Sequence, residues 1–180
     1  GDHITGITYD HWDNPTRMNF GNGAYETTGY DRNRGWITRI RGINGDNRVQ
    51  MGSDYYRTQT GRITTHKTNT NPDYLAFTYD YAGRLLTATN QRNQPQNNLV
   101  MTYDRAGRML SKGQAQANAT AYTYHTAAAG RPFHAPVSID TAGVSTNFNY
   151  DANGNMLTGL DGKVMTYDGE NRPLSVTLNG

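Results

Sequence analysis

The residue types that carry chemistry are present in this 180-residue sequence, but few stand at spacings that chemistry needs. Of its histidines, His3, His11, His66, His125 and His134, no pair has the H-E-x-x-H spacing of a zinc helix. His125 and His134 share one stretched turn and come nearest to a ligand pair. Asp151, Asn153 and Asn155 match the first three ligand positions of a calcium loop, yet its glycine is misplaced and Gly162 stands where a bidentate Glu belongs. Ser53, Ser111, Ser138, Ser145 and Ser175 lack a nucleophile-elbow pattern, and no phosphate-binding loop or dinucleotide fingerprint occurs. Asn118-Ala119-Thr120 is a formal glycosylation sequon. The expectation is a chain that is not an enzyme, with no catalytic, metal-binding or cofactor-binding residues and no cofactor.

What recurs instead is a phrase. Tyr79-Asp80-Tyr81-Ala82-Gly83-Arg84-Leu85 returns as Tyr103-Asp104-Arg105-Ala106-Gly107-Arg108-Met109. Looser copies are Tyr150-Asp151-Ala152-Asn153-Gly154-Asn155-Met156 and Tyr167-Asp168-Gly169-Glu170-Asn171-Arg172-Pro173. An Asp at the first position of a type I turn accepts bonds from backbone N–H groups further along the turn. A Gly three places later takes the left-handed conformation that closes a bulged hairpin. Asn171 and, in the first copy, Asp13 hold the Gly position, and these types enter left-handed space most readily after glycine. Asp80, Gly83, Asp104, Gly107, Asp151, Gly154, Asp168 and Asn171 are therefore expected to make turns rather than to react. Tyr79, Arg84, Tyr103, Arg108, Tyr150, Tyr167 and Arg172 flank them. These are expected to form a ladder, with rings stacking from hairpin to hairpin and guanidinium groups lying on rings or bridging Asp.

Such turns need strands on both sides. Leu75, Phe77 and Tyr79 alternate with polar residues, as do Leu99, Met101 and Tyr103, at the period of two that puts them on one strand face. Anchors at Tyr9, Tyr30, Tyr56, Tyr79, Tyr103, Tyr124, Tyr150 and Tyr167 are spaced about 23 residues apart, within the range of repeat architectures. That length holds two strands and two turns but not the strand–helix–strand unit of a parallel sheet. The unit at Tyr56 reads as degenerate, because Arg57 replaces the Asp and Gly61 arrives one place late. The turn after Tyr30 carries one extra residue. Asn22-Gly23 signals a type I′ hairpin turn, and Asn44-Gly45-Asp46-Asn47 another turn. Loops are expected at 69–73, 90–98 and 114–120, and a stretched turn at 125–136. The fold expected is all-β: sequential antiparallel β-hairpins forming a curved, spiralling sheet, one segment over residues 1–180 with about eight units.

Composition agrees. Apolar residues are 34 % of the chain and mean hydropathy is −0.84, too little aliphatic material for a large globular core. The 13 Tyr, at regular positions, argue equally against disorder, since a tyrosine buries its ring while its hydroxyl stays wet. A sheet between two watery spaces suits both facts. Net charge is only +2 and the arginines are spread along the repeats, whereas nucleic-acid binding needs a concentrated basic surface. No nucleic-acid partner is expected. No apolar run approaches a membrane span, and no signal peptide is visible. The start at Gly1 and the end just after a strand-like run read as a fragment of a larger protein, with exposed sheet edges that pair with another chain.

The Y-D-x-x-G-R-L phrase at this period resembles the tyrosine-aspartate (YD) repeats of the RHS-repeat family. That family includes bacterial polymorphic toxins, wall-associated protein A, insecticidal toxin-complex shell components and the animal teneurins. The resemblance covers nearly the whole chain and is strongest at Tyr79, Tyr103, Tyr150 and Tyr167. Arg131-Pro132-Phe133-His134-Ala135-Pro136-Val137 is also similar to the R-P-H-A-V segment that often precedes the last repeats, with Phe133 and Pro136 as departures. The resemblance implies hairpins joined side by side into a sheet that spirals into a hollow shell, commonly around a C-terminal toxin or segment. The family's D-P-x-G core motif, associated in several members with self-cleavage, has no counterpart in this sequence, which implies cage wall from upstream of that core.

The leading expectation is therefore a non-catalytic structural shell segment of a secreted or cell-surface bacterial protein that encapsulates a cargo such as a C-terminal toxin. Its partners are the rest of its own parent chain and the enclosed toxin or plug. The alternative is a cell-surface carbohydrate- or wall-binding adhesion module, using Trp12, Trp36 and the tyrosines as stacking platforms for glycans.

Overall fold

The computed structural model describes residues 3–69, 74–90, 98–114, 119–126 and 132–178. Much of the expected loops and of the stretched turn, with Asn118 of the sequon and Arg131, lies outside these residues. Apart from one 3-10 turn at Leu160–Gly162, the regular elements are strands: β1 (Ile4–Tyr9), β2 (Pro15–Phe20), β3 (Tyr25–Tyr30), β4 (Ile37–Ile43), β5 (Val49–Arg57), β6 (Ile63–Thr68), β7 (Tyr74–Tyr79), β8 (Leu85–Asn90), β9 (Leu99–Tyr103), β10 (Met109–Gly113), β11 (Thr120–Tyr124), β12 (Pro136–Thr141), β13 (Val144–Asn147), β14 (Lys163–Tyr167) and β15 (Pro173–Leu178).

Two compact units divide the chain, Gly1–Asn98 and Leu99–Gly180. In the first, β1 to β8 pair antiparallel in sequence order. In the second, β9 to β13 pair the same way. The hairpin β14–β15 follows, linked by the bridges Tyr150 to Met156 and Thr158 to Val164. The fold is thus all-β and built of sequential antiparallel hairpins. A chain with so few aliphatic residues fills no deep core. Among the described residues Ala88, Met101 and Phe148 are the buried apolar side chains, and no large side chain is fully enclosed. The sheet is held by its ladders, reinforced across strands by hydroxyl pairs such as Thr78 with Thr87 (2.7 Å) and Thr102 with Ser111 (2.6 Å).

The hairpins slip register by one residue beside the repeated turns at Tyr9, Tyr79, Tyr103 and Tyr167. This is the bulge expected of a three-residue loop ending in a left-handed residue. Asn22-Gly23 corrects the sequence expectation. Gly23 is at φ 81° but Asn22 is not left-handed, and Gly23 N–H donates to the Phe20 carbonyl (3.0 Å). Three residues separate Phe20 from Ala24, so the loop takes the bulged form rather than the two-residue type I′ form, which needs both central residues at positive φ. The type I′ turn lies at Ala142-Gly143, at φ 53° and 82°. Alanine pays a steric penalty there that Asn largely escapes, so Ala142→Asn is expected to stabilise the chain by about 0.5–1 kcal/mol. A urea melt that moves to lower midpoint would contradict this.

Candidate functional site

Each repeated turn closes on a five-residue clamp. Asp80 N–H donates to the Arg84 carbonyl and Gly83 N–H to the Asp80 carbonyl, both at 3.0 Å, with Gly83 at φ 80°. The Asp80 carboxylate then uses both oxygens: Oδ1 accepts the Arg84 backbone N–H (2.9 Å) and Oδ2 accepts Arg84 Nε (2.6 Å). Asp104 and Arg108 repeat these contacts at 2.9 and 2.6 Å around Gly107, at φ 89°. Asp168 and Arg172 do so at 2.9 and 2.7 Å around Asn171, at φ 63°. In the clamps of Asp151 with Asn155 and Asp10 with Asn14, an amide replaces the guanidinium at Oδ2 (2.8 and 3.1 Å). Gly154 (φ 87°) and Asp13 (φ 61°) hold the left-handed place there. One N–H is all that Oδ2 requires, so Asn serves as well as Arg.

These contacts hold the turn carboxylates below their ordinary value. For Asp104 and Asp151 the leading cause is the side chain of Arg108 or Asn155, and for Asp10 it is Asn14, each against an opposing pull from burial. For Asp168 the Arg172 backbone N–H leads, with the guanidinium next. At Asp80 burial is the strongest single influence and pushes upward, but the Arg84 N–H and guanidinium together outweigh it. With folded values lowered from 3.8, the unfolded chain binds protons first as pH falls. The clamp contribution is complete above 3.8 and is lost as pH drops through the folded values. Urea midpoints should therefore hold steady down to about pH 5 and fall below about pH 4. Asp104→Asn with Asp168→Asn should flatten that fall, and an unchanged acid limb would refute the assignment.

Five tyrosines each tie a hairpin to the one before it. Tyr30 Oη donates to the Pro15 carbonyl (3.0 Å), Tyr79 to Ile63 (2.7 Å), Tyr124 to Met109 (2.8 Å), Tyr150 to Pro136 (2.8 Å) and Tyr167 to Met156 (3.0 Å). The accepting residue is always the one paired opposite the preceding anchor, as Pro15 is opposite Tyr9. Rungs of this kind stand where ring-on-ring stacking was expected. Successive anchors lie two strands apart, roughly 10 Å, beyond stacking range but matched by a phenol reaching back across one strand. Tyr103 sits at the bulge opposite Met109, its hydroxyl 3.8 Å from Met101 Sδ.

The unit read as degenerate is complete, but anchored one residue later. Arg57, not Tyr56, stands opposite Ile63, and Arg57 Nη2 donates to the Ile37 carbonyl (3.2 Å) as a tyrosine hydroxyl would. Thr58 takes the Asp place: its N–H donates to the Arg62 carbonyl (2.8 Å), and its Oγ1 accepts the Arg62 N–H (3.2 Å). Counting three places back from Gly61 identifies Thr58, a signal the search for a Tyr-Asp pair passed over. Asn44 heads a further clamp, accepting N–H bonds from Asp46 (3.1 Å) and Arg48 (2.8 Å), with Asn47 left-handed.

In several turns the residue after the left-handed position also reaches the next turn. A Cβ added at Gly61 would meet the Trp36 ring at 2.8 Å, and one at Gly83 would collide with the Arg62 guanidinium. Asn155 Nδ2 donates to Asn171 Oδ1 (2.8 Å), and the Arg108 guanidinium lies over the Tyr124 (4.8 Å) and Phe133 (4.2 Å) rings.

Two open hollows, each of about 300 Å³, lie beside the second turn of the first unit, around Trp12, Arg34, Trp36 and Tyr56. Among the described residues no three His, Cys, Asp or Glu side chains gather as metal ligands. His66 Nε2 instead meets Ser53 Oγ (3.0 Å), and its ring stacks on Tyr55 (4.9 Å). No helix among the described residues is long and apolar enough to cross a membrane.

No protein-family model matches the sequence, and no curated protein does. Solved structures do. The chain superposes on a chain of the Photorhabdus luminescens Tc holotoxin pore with a TM-score of 0.73 and 16 % identity, covering 97 % of this chain and 10 % of that one. It superposes on a chain of TcdB2-TccC3-Cdc42 at 0.74 and of TcdB2-TccC3 at 0.72, with the same identity and coverage. It spans about a tenth of the length of those chains. At 16 % identity the likeness is one of fold, and that fold is the one implied by the RHS-repeat resemblance.

Proposed function

We propose that the chain is a non-catalytic wall segment of a larger secreted or surface-displayed bacterial shell that encloses a cargo polypeptide such as a toxin. The observation that carries this reading is the ladder. Each rung from Tyr30 to Tyr167 joins one hairpin to its predecessor, and the recurring Asp and Arg side chains are engaged within and between turns. These repeated residues serve the sheet itself. The fold shared with toxin-complex chains some ten times longer supports a segment of a larger parent chain. A wall whose backbone is paired strand to strand gives a protease little extended chain to grip.

In the full-length parent, the cargo is expected to resist protease at a dose that digests the same cargo made alone, and to become sensitive when Gly61→Val opens the wall. Equal digestion in all three preparations would sink the reading.

A further inference from the structure

The sequence holds four Asn-Gly pairs, and three lie within the described residues: Asn22-Gly23, Asn44-Gly45 and Asn153-Gly154. In each, the glycine nitrogen follows a side-chain amide that it can attack, with no Cβ of its own to bar the approach. The fold treats the three differently. Gly23 and Gly154 are the left-handed residues that close their turns, and their N–H groups donate to the Phe20 (3.0 Å) and Asp151 (3.1 Å) carbonyls. Asn44 stands instead at the head of its turn, where other units have Asp, and Asn47 takes the left-handed position. Gly45 is exposed, and its N–H has no hydrogen-bond partner among the described residues. Asn44 Oδ1 meanwhile accepts two backbone N–H groups, from Asp46 (3.1 Å) and Arg48 (2.8 Å), against one at Asn22, from Ala24 (3.1 Å). Donors so placed stabilise negative charge that develops on that oxygen. We propose that Asn44 is a self-modification site, at which the Gly45 nitrogen closes on Asn44 Cγ and the side-chain amide is lost as ammonia.

Water is the only other reactant. Solvent base takes the Gly45 N–H proton, the nitrogen bonds to Cγ, and the carbonyl electron pair moves to Oδ1. As that oxyanion collapses, the bond from Cγ to Nδ2 breaks and ammonia leaves with a proton from solvent. The five-membered succinimide then takes up water: attack at Cγ gives aspartate at this position, and attack at the backbone carbonyl gives isoaspartate. The turn has a place ready for the first product. Its backbone bonds match those of the Asp80, Asp104 and Asp168 clamps, with Asn44 N–H donating to the Arg48 carbonyl and Asn47 N–H to the Asn44 carbonyl, both at 3.0 Å. Like those clamps it ends in an arginine four places on, but Asn44 Nδ2 is a donor and cannot pair with a guanidinium. Arg48 is exposed, and its guanidinium has no hydrogen-bond or ion-pair partner among the described residues. A carboxylate oxygen in place of Nδ2 supplies the acceptor that Arg84, Arg108 and Arg172 find at Oδ2 (2.6, 2.6 and 2.7 Å). The modification thus completes a clamp that the encoded residue leaves half made. It is independent of the wall reading, because it concerns the chemistry of one turn.

The folded 180-residue chain is aged at mildly alkaline pH in heavy-oxygen water, then digested with trypsin in ordinary water and read by mass spectrometry. The heavy label marks conversions that precede digestion. Peptide 42–48 is expected to exchange its amide NH₂ for a heavy hydroxyl, with fragment ions placing the change at Asn44 rather than Asn47. It should do so about tenfold or more faster than the peptides carrying Asn22 and Asn153. In urea, where the turns are gone, that lead should disappear. Conversion at Asn44 no faster than at the other two in the folded chain overturns the proposal, and so does a lead that persists in urea. Asn44→Asp, which installs the first product directly, should raise the urea midpoint, and adding Arg48→Gln should cancel the gain. A midpoint unmoved or lowered by Asn44→Asp overturns the completed clamp.

Discussion

Gly61→Ala is expected to cost about 3–4 kcal/mol, and Gly143→Ala only about 1–2, although both glycines are left-handed. Their φ values are 91° and 82°, so the backbone penalty for an L side chain is nearly the same. What differs is the surroundings. A Cβ at Gly143 meets nothing within 4 Å, whereas at Gly61 it lies 2.8, 3.1 and 3.3 Å from three atoms of the Trp36 ring. Trp36 is half-buried, with Arg34 over its ring, and a rigid indole cannot yield as a chain end can. Relieving the overlap moves the second turn away from the third, adding an overpacking cost to the dihedral one. Urea unfolding of the two variants measures the difference, and a red-shifted Trp36 emission in Gly61→Ala would locate it. Equal losses would mean that contact between successive turns contributes nothing to the stability of the sheet.

Local chemistry was legible in the sequence wherever one residue type has one job. Asp80 and Gly83, Asp104 and Gly107, and Asp168 and Asn171 each stand at turn positions that few other residues fill, and the alternation of Leu75, Phe77 and Tyr79 follows from strand geometry alone. Three features needed distances. Asn22-Gly23 suits two turn types, and the choice depends on the number of residues between paired strands, which is visible only once Phe20 and Ala24 are seen to bond. The tyrosine rungs depend on strand separation, which letters do not carry. Arg57 was hidden behind Tyr56 because the place calls for a donor that reaches one strand back, and a guanidinium meets that need as a phenol does.

The rung itself can be tested by exchange. Tyr79→Phe keeps the ring and removes the hydroxyl that donates to Ile63 at 2.7 Å, leaving a half-buried carbonyl without its partner, at a cost of about 1–3 kcal/mol. The reverse change is available at Arg57. Its Nη2 makes a longer rung of 3.2 Å, while its Nε is buried with no partner. Arg57→Tyr removes that orphan donor and supplies the hydroxyl that the neighbouring anchors use. It gives up the bond from Nη1 to the Gly61 carbonyl (3.2 Å), so the net gain expected is about 1 kcal/mol. Opposite shifts of the urea midpoint in these two variants would show that a donor at this one position, whatever its residue type, joins hairpin to hairpin. A midpoint for Tyr79→Phe equal to the parent's would leave the sheet held by backbone ladders alone, and the recurrence of tyrosine would then need another cause.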